Sequence, residues 1–119
     1  MTGTVLVTGA SGFLGRVVVE RLLTLGYDVV GLDPAPPQVA TILHINDDLS
    51  DADRLQQLLA AERFTHIIHT GGVSGPMVLA DRPEQLIAIN VMGSLNLLQA
   101  AIVTGVKTFV YCSSVSAVG

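Results

Sequence analysis

A β-branched run, Thr4 to Thr8 (TVLVT), feeds directly into the stretch TGASGFLG, in which Gly9, Gly12 and Gly15 repeat at intervals of three. From Gly12 to about Leu25 the apolar residues Leu14, Val17, Val18, Leu22 and Leu25 recur with the period of a helix. A strand that must turn into a helix through three glycines leaves few folds open. Gly9 permits a tight turn off the strand, Gly12 lets another group approach the backbone, and Gly15 lets the helix lie close on the sheet. The G-x-x-G-x-x-G spacing is one residue longer at its first gap than the dinucleotide fingerprint G-x-G-x-x-G. With the N–H groups of Gly12, Phe13 and Leu14 at the positive end of a helix, the turn reads as a cradle for a pyrophosphate. The alternative is a turn with incidental glycines. It is not a P-loop, because no Gly-Lys-Ser/Thr follows.

The same alternation continues along the chain. Asp28 to Asp33 (DVVGLD) reads as a second strand, and the Pro-rich connection PAPPQ behind it cannot carry a helix. Thr41 to Ile45 (TILHI) is a third strand. Ser50, with Asp53 three residues on, predicts the start of a helix bearing Leu55, Leu58 and Leu59. His66 to Thr70 (HIIHT) is a fourth strand, and Asp81 and Pro83 open a long helix to about Thr104. Thr108 to Cys112 (TFVYC) is a fifth strand. Strand alternating with helix predicts an α/β fold, a Rossmann-type doubly wound parallel sheet of order 3-2-1-4-5 in one domain over residues 1–119.

Strands four and five are apolar at successive positions, the pattern of parallel strands covered on both faces. Because PAPPQ supplies no second helix for the face under the first helix, these two strands are expected to be partly bare there. Strand five is also expected to be an edge, so the expectation is either self-association through strand five, a homo-oligomer, or a chain that is a portion of a longer protein.

Asp33 ends strand two at the spacing a dinucleotide fold uses for its ribose carboxylate. There it can accept from both adenosine-ribose hydroxyls and repel a 2′-phosphate, which favours NAD over NADP. Pro34 and Ala35 offer no cation for such a phosphate. The plainer reading of Asp33 is a solvated turn residue before proline.

Other chemistries fail on inspection. The chain has 13% charged residues and a formal net charge of −4, with no Lys/Arg cluster to neutralise a row of phosphates. Polynucleotide and lipid-surface binding are therefore not expected. The amino terminus lacks a basic segment followed by an apolar one, and no apolar run is expected to approach the roughly 20 residues that span a bilayer. A cytoplasmic location is the resulting expectation, and the lone Cys112 agrees with a reducing compartment. His66 and His69 face opposite sides of their strand, so with His44 they make no metal-ligand set and read as structural. GGVSG lacks the spacing of a nucleophile elbow. Cys112 by itself reads as a small buried hydrophobe.

Taken together, TGASGFLG, Asp33, the pair Asp48-Leu49, the segment HTGG, INVMGSLNLLQA and FVYCSSVSAVG resemble the extended short-chain dehydrogenases/reductases, the NAD-dependent epimerase/dehydratase family. The resemblance covers essentially the whole chain. It implies NAD as cofactor, with Gly9, Ser11, Gly12, Phe13, Leu14 and Gly15 around the pyrophosphate and Asp33 on the ribose. Asp48 and Leu49 would frame the adenine, the former accepting from its exocyclic amine. Thr70, Gly71 and Gly72 would line the nicotinamide half, with Asn90 holding that region and Cys112 beside it. Asn90 can equally be an ordinary buried amide. Ser114 aligns with the Ser/Thr that bonds the reacting substrate oxygen.

The family's proton-transferring tyrosine, followed four residues later by a lysine, has no counterpart here, since neither Tyr27 nor Tyr111 has a lysine four places on. The resemblance thus implies the NAD-binding portion of an oxidoreductase, epimerase or dehydratase acting on a sugar or nucleotide-sugar hydroxyl, with the substrate part absent and no turnover by this chain alone. The reading from another class is a non-catalytic NAD(P)-binding module, such as a redox sensor or partner subunit.

Overall fold

A computed structural model describes residues 3–72 and 81–113. Five parallel strands form one sheet in the order β3-β2-β1-β4-β5, as the alternation predicts. They are β1 (Thr4–Thr8), β2 (Asp28–Leu32), β3 (Leu43–Ile45), β4 (His66–His69) and β5 (Thr108–Tyr111). β1 lies at the centre, pairing Val5 with Val29 on one side and with His66 on the other. A strand flanked on both edges and covered on both faces has no wet side, which is why TVLVT is buried from Val5 to Thr8.

Period-2 alternation sorts the strand side chains into two layers. Leu6, Val30, Leu32 and Ile67 face α2 (Ala52–Glu62) and α4 (Gly93–Thr104), where they meet Leu55, Leu59, Leu97, Ala100 and Ala101. Val5, Val7 and Val29 face α1 (Phe13–Thr24), with Val19 at the centre of the contact. Val39 and Ile42, from the connection behind PAPPQ, give this face partial cover without a helix. β5 is an edge strand: on the α1 face Val110 is 45% exposed, as expected, and Tyr111, 56% exposed, lies on the opposite face beside His69.

The helix ends follow local chemistry. α1 stops in a Schellman motif: Gly26 has φ 86°, its N–H donates to Leu23 O, and Tyr27 N–H donates to Leu22 O. α2 is capped by Asp51, whose carboxylate accepts from Arg54 N–H at 3.1 Å. The expected cap, Ser50, is diverted, because its hydroxyl donates to Asp48 at 2.6 Å. β3 is shorter than the Thr41 to Ile45 segment, since its ladder with β2 begins only at Leu43 and Ile42 turns under the sheet to pack with the α1 layer. β4 and β5 likewise end one residue earlier than expected, at His69 and Tyr111.

The long helix begins with Pro83 at its first turn and runs to Thr104 as α3 (Pro83–Ile87), a π-helical stretch (Ala88–Met92) and α4. It corrects the expectation that no apolar run nears bilayer length. The helix has 22 residues and holds an 18-residue stretch of mean hydropathy 1.8, long and apolar enough to cross a membrane by length and composition. Scattered amides and hydroxyls hide the run from inspection because they interrupt it without carrying charge. Two of them bond inside the fold, Ser94 to Asn90 O and Asn96 to Leu49 O.

This packing predicts that two neighbouring leucines behave differently. Leu97→Ala, in the buried layer, is expected to cost about 3 kcal/mol, whereas Leu98→Ala, on the outer face, should stay within about 0.5 kcal/mol. Urea unfolding of both variants measures the contrast.

Candidate functional site: a cleft at the carboxyl ends of the central strands

The carboxyl ends of β1, β2 and β4 open into a cleft of about 230 Å³. It sits where the strand order reverses, between β1 and its two neighbours, the place where open parallel sheets bind ligands. Of the residues expected there, Gly9, Gly12 and Asp33 line one side, Asp48 and Leu49 another, and Thr70, Gly71 and Gly72 the third. Thr8, Leu32, Pro34, Asp47 and Ile89 complete the lining and were not singled out in the sequence.

The glycine turn is built by contacts of the chain with itself. Gly9 has φ 67°, its N–H donates to Leu32 O at 2.9 Å, and a Cβ on it would stand 2.7 Å from the backbone of Gly71. A Cβ on Gly15 would lie only 1.9 Å from Gly9 O, so α1 rests on the turn itself. Gly12 differs. Its φ is −78°, open to any residue, and a Cβ there would meet only Gly9 O, at 3.3 Å. The fold therefore requires glycine at Gly9 and Gly15, while at Gly12 a Cβ would make one tight contact, with the Gly9 carbonyl, and would otherwise face open space. One detail corrects the expectation: Gly12 N–H does not face an anion but closes the turn by donating to Gly9 O at 3.0 Å. The free donors at this helix start belong to the next residues, whose N–H groups have no partner within an α-helix. Phe13, 85% exposed, and Leu14 stand at the mouth of the turn rather than in the cleft lining.

Asp33 is held by two backbone donors. Oδ2 accepts from Ser11 N–H at 3.1 Å and Oδ1 from Ala35 N–H at 2.9 Å, so Ser11 contributes by orienting Asp33 and does not itself line the cleft. Each carboxylate oxygen keeps a second lone pair for a ligand hydroxyl. His44 pins the same residue from below, with Nε2 3.1 Å from Asp33 O.

The segment after β3 turns on Asp47, one residue before the expected Asp48. Asp47 is buried; its Oδ1 accepts from Asp48 N–H and Leu49 N–H, and its Oδ2 pairs with Arg54 at 2.5 Å. These bonds, with Asn96 Nδ2 donating to Leu49 O at 2.9 Å, hold Leu49 at φ 69°, a conformation that costs a non-glycine residue about 1–3 kcal/mol. Asp48 lines the cleft, but its carboxylate accepts from both the N–H and the hydroxyl of Ser50. Those bonds hold its pKa below the ordinary carboxylate value, so it is an acceptor at neutral pH.

Asn90 lies in the π-helical stretch, outside the cleft lining, with its carboxamide over Gly72: a Cβ on Gly72 would come 2.9 Å from Asn90 Oδ1. Cys112 is exposed, not the buried hydrophobe expected, because β5 is an edge; its N–H donates to His69 O at 3.2 Å. Ser114, the expected contact of the substrate oxygen, lies outside the described residues. His66 and His69 point to opposite sides of the sheet, the first against Tyr27 and the second against Phe109 and Tyr111. Among the described residues no group of His, Cys, Asp or Glu could hold a metal.

A parallel sheet of order 3-2-1-4-5 with a glycine turn and a strand-ending carboxylate at its switch point defines a Rossmann-type dinucleotide-binding domain. Comparison with known proteins gives the family: residues 5–119 match the model of the NAD dependent epimerase/dehydratase family, and the chain belongs to it. It is 37% identical to a UDP-glucose 4-epimerase of Mycolicibacterium smegmatis over 92% of this chain and 38% of that protein. It is also 37% identical to a 3 beta-hydroxysteroid dehydrogenase/Delta 5-->4-isomerase of Mycobacterium tuberculosis, over 98% of this chain and 33% of that one. Among solved structures, the Thermus thermophilus UDP-glucose 4-epimerase in complex with NAD superposes with a TM-score of 0.85 at 32% identity, over 93% of this chain and 37% of that one. The chain thus spans little more than a third of the length of these relatives.

The two kinds of glycine should separate in the test tube. Gly15→Ala is expected to lose about 2–3 kcal/mol of stability through the clash with Gly9 O, and Gly12→Ala to lose less, since its Cβ would meet the same oxygen at 3.3 Å instead of 1.9 Å. Chemical denaturation of both proteins checks the difference.

Proposed function

We propose that this chain binds NAD in the cleft and forms the cofactor-binding portion of an oxidoreductase, epimerase or dehydratase acting on a sugar hydroxyl, with nucleotide sugars as the substrate class. The observation that carries the reading is the cleft itself: Gly12 lines it without a side chain, opposite the oriented carboxylate of Asp33, at the switch point of the sheet. The relatives support the substrate class, two of the three compared being UDP-glucose 4-epimerases.

The residues fit the group. Asp33, with a lone pair left on each oxygen, would take the adenosine-ribose hydroxyls. Gly12 leaves room for the pyrophosphate beside the open N–H groups at the start of α1. Asp48 and Leu49 would frame the adenine, and Thr70 to Gly72 would line the nicotinamide half. Bound NAD supplies a hydride acceptor. Ser114 would orient the substrate oxygen. Self-association belongs to the same proposal, because the edge strand β5 and the outer helix face bearing Ile87, Val91, Leu95, Leu98 and Ile102 are apolar and exposed. Light scattering is expected to give a mass above that of the single chain; a monomer at every concentration would remove this part.

Cofactor choice follows from charge. A unit negative charge about 5 Å from a carboxylate is repelled by about 1–3 kcal/mol at the effective dielectric of a protein surface, and about 1.4 kcal/mol is tenfold in affinity. Calorimetric titration is expected to show NAD binding at least about tenfold more tightly than NADP, with Asp33→Ala narrowing the gap. Equal affinities, or an NADP preference, would sink the assignment of Asp33.

A further inference from the structure

Beneath the cleft a buried imidazole joins three elements. His69, fully buried at the end of β4, has Nδ1 2.5 Å from Thr8 Oγ1 on β1 and Nε2 2.7 Å from Ser94 Oγ on α4. Among the described residues each hydroxyl has one further partner. Thr8 Oγ1 accepts from Gly71 N–H at 3.2 Å, and Ser94 Oγ donates to Asn90 O at 2.7 Å.

The proton count gives the chain a direction. A hydroxyl has one proton to donate, and a neutral imidazole has one N–H and one lone pair. If Ser94 donates to Asn90 O, it can only accept from His69, so Nε2 carries the proton. Nδ1 then accepts from the Thr8 hydroxyl, whose oxygen accepts from Gly71 N–H. Every proton in the series has an acceptor. In the reverse direction Nδ1–H would point at Thr8, and the Thr8 proton would have no acceptor among the recorded partners. The series runs Gly71 N–H to Thr8, Thr8 to His69, His69 to Ser94, and Ser94 to Asn90 O.

We propose that His69 is a positioning residue of the dinucleotide site, its neutral Nε2–H form fixing the Gly71–Gly72 loop against β1 through Thr8 and against the long helix through Ser94, so that acid loosens cofactor binding by breaking this series. The proposal rests on the NAD-binding reading and adds a residue to it that does not line the cleft. Protonating Nδ1 would place two donors, the imidazolium N–H and Gly71 N–H, on one hydroxyl oxygen and leave that hydroxyl's own proton unpaired. The Gly71 and Thr8 contacts are what set the loop, because Gly71 lies so close on Gly9 that a Cβ on it would stand 3.2 Å from Gly9 N.

The surroundings resist the charge. β5 brings the rings of Phe109 and Tyr111 to 6.3 and 5.7 Å, β1 brings Thr8, and α4 brings Ser94. Tyr111 is the one titratable group recorded against the ring among the described residues, and no carboxylate is recorded there. Burial accordingly pushes the His69 pKa below the ordinary imidazole value. The unfolded chain then takes up the proton at a higher pH than the folded one. The stabilisation from neutral His69 is complete above about pH 6.5, and is lost as pH falls toward the lowered folded value.

The test joins imidazole nitrogen NMR with calorimetric NAD titrations of the 119-residue chain between pH 8 and pH 5.5. The parent is expected to show the Nε2–H tautomer at pH 8, a shift of the Gly71 and Gly72 amides as His69 protonates, and roughly tenfold weaker NAD binding at the acid end. His69→Gln, a donor and acceptor without the titration, should bind more tightly than His69→Leu and lose the acid limb. An Nδ1–H tautomer, or protonation of His69 that leaves the Gly71 amide unmoved, overturns the proposal, and so does an acid limb retained in His69→Gln. Should the chain fail to bind NAD at pH 8, the functional reading falls, while the tautomer and the Gly71 amide still decide the relay. They decide it equally if His69→Leu does not fold.

Discussion

The contact on which the rest of the structure depends is the seating of Gly15 on the carbonyl of Gly9. Where a Cβ would come within 1.9 Å of that oxygen, the first turn of α1 lies directly on the end of β1. Gly9 is also tied sideways, its N–H to Leu32 O on β2, and Gly71 from the end of β4 packs against its other side. One residue thus joins three strands and a helix. Displacing it would separate the three loops that make the cleft, because each is placed relative to that turn.

The cost of building the cleft is paid by polar groups at the strand ends. Leu49 sits at a positive φ, Asp47 is buried, and neither is a low-energy choice alone. They coexist because Asp47 accepts the N–H groups of residues 48 and 49 while Asn96 holds the Leu49 carbonyl, so the backbone is fixed from both sides. Gly93 packs against the same residue, where an added Cβ would lie 3.4 Å from Leu49 Cβ, an ordinary contact. The long helix therefore has a second task besides covering the sheet: its polar side chains hold the loops behind β3 and β4.

The sheet order and the helical segments were legible because period and punctuation agree: runs such as TVLVT and DVVGL alternate with helical patterns, and glycine stands where α1 and α4 stop. Gly9, Asp33 and Thr70 to Gly72 were legible by position, each ending a parallel strand beside the switch point. What was hidden depended on competition between neighbours. In DDL and in SD, two adjacent residues could take the same role, and only the geometry decides that Asp47 goes inside and that Asp51, not Ser50, caps α2. Cys112 was misjudged from its residue type alone: it follows a strand that was itself expected to be an edge, and just past the end of β5 it is exposed. The π-helical stretch leaves no pattern of its own, since its residues suit an α-helix equally well.

The buried polar series from Gly71 to Asn90 bears on why this fold retains histidine in an apolar sheet. A buried polar group left without a partner costs about 1–3 kcal/mol, and a satisfied one returns only about 1 kcal/mol net. Stability alone would thus be served about as well by apolar side chains at Thr8, His69 and Ser94. His44 shows the contrast. Its Nε2 is bonded to Asp33 O, but its Nδ1 is buried with no partner among the described residues, so the chain accepts that cost where the ring supports the ribose-side carboxylate. Both histidines stand within two residues of a strand end, and both connect to a loop of the cleft rather than to the middle of the sheet. Directional bonds fix a backbone position in a way that close-packed methyl groups do not, and these two imidazoles are found where the loop positions matter to a ligand.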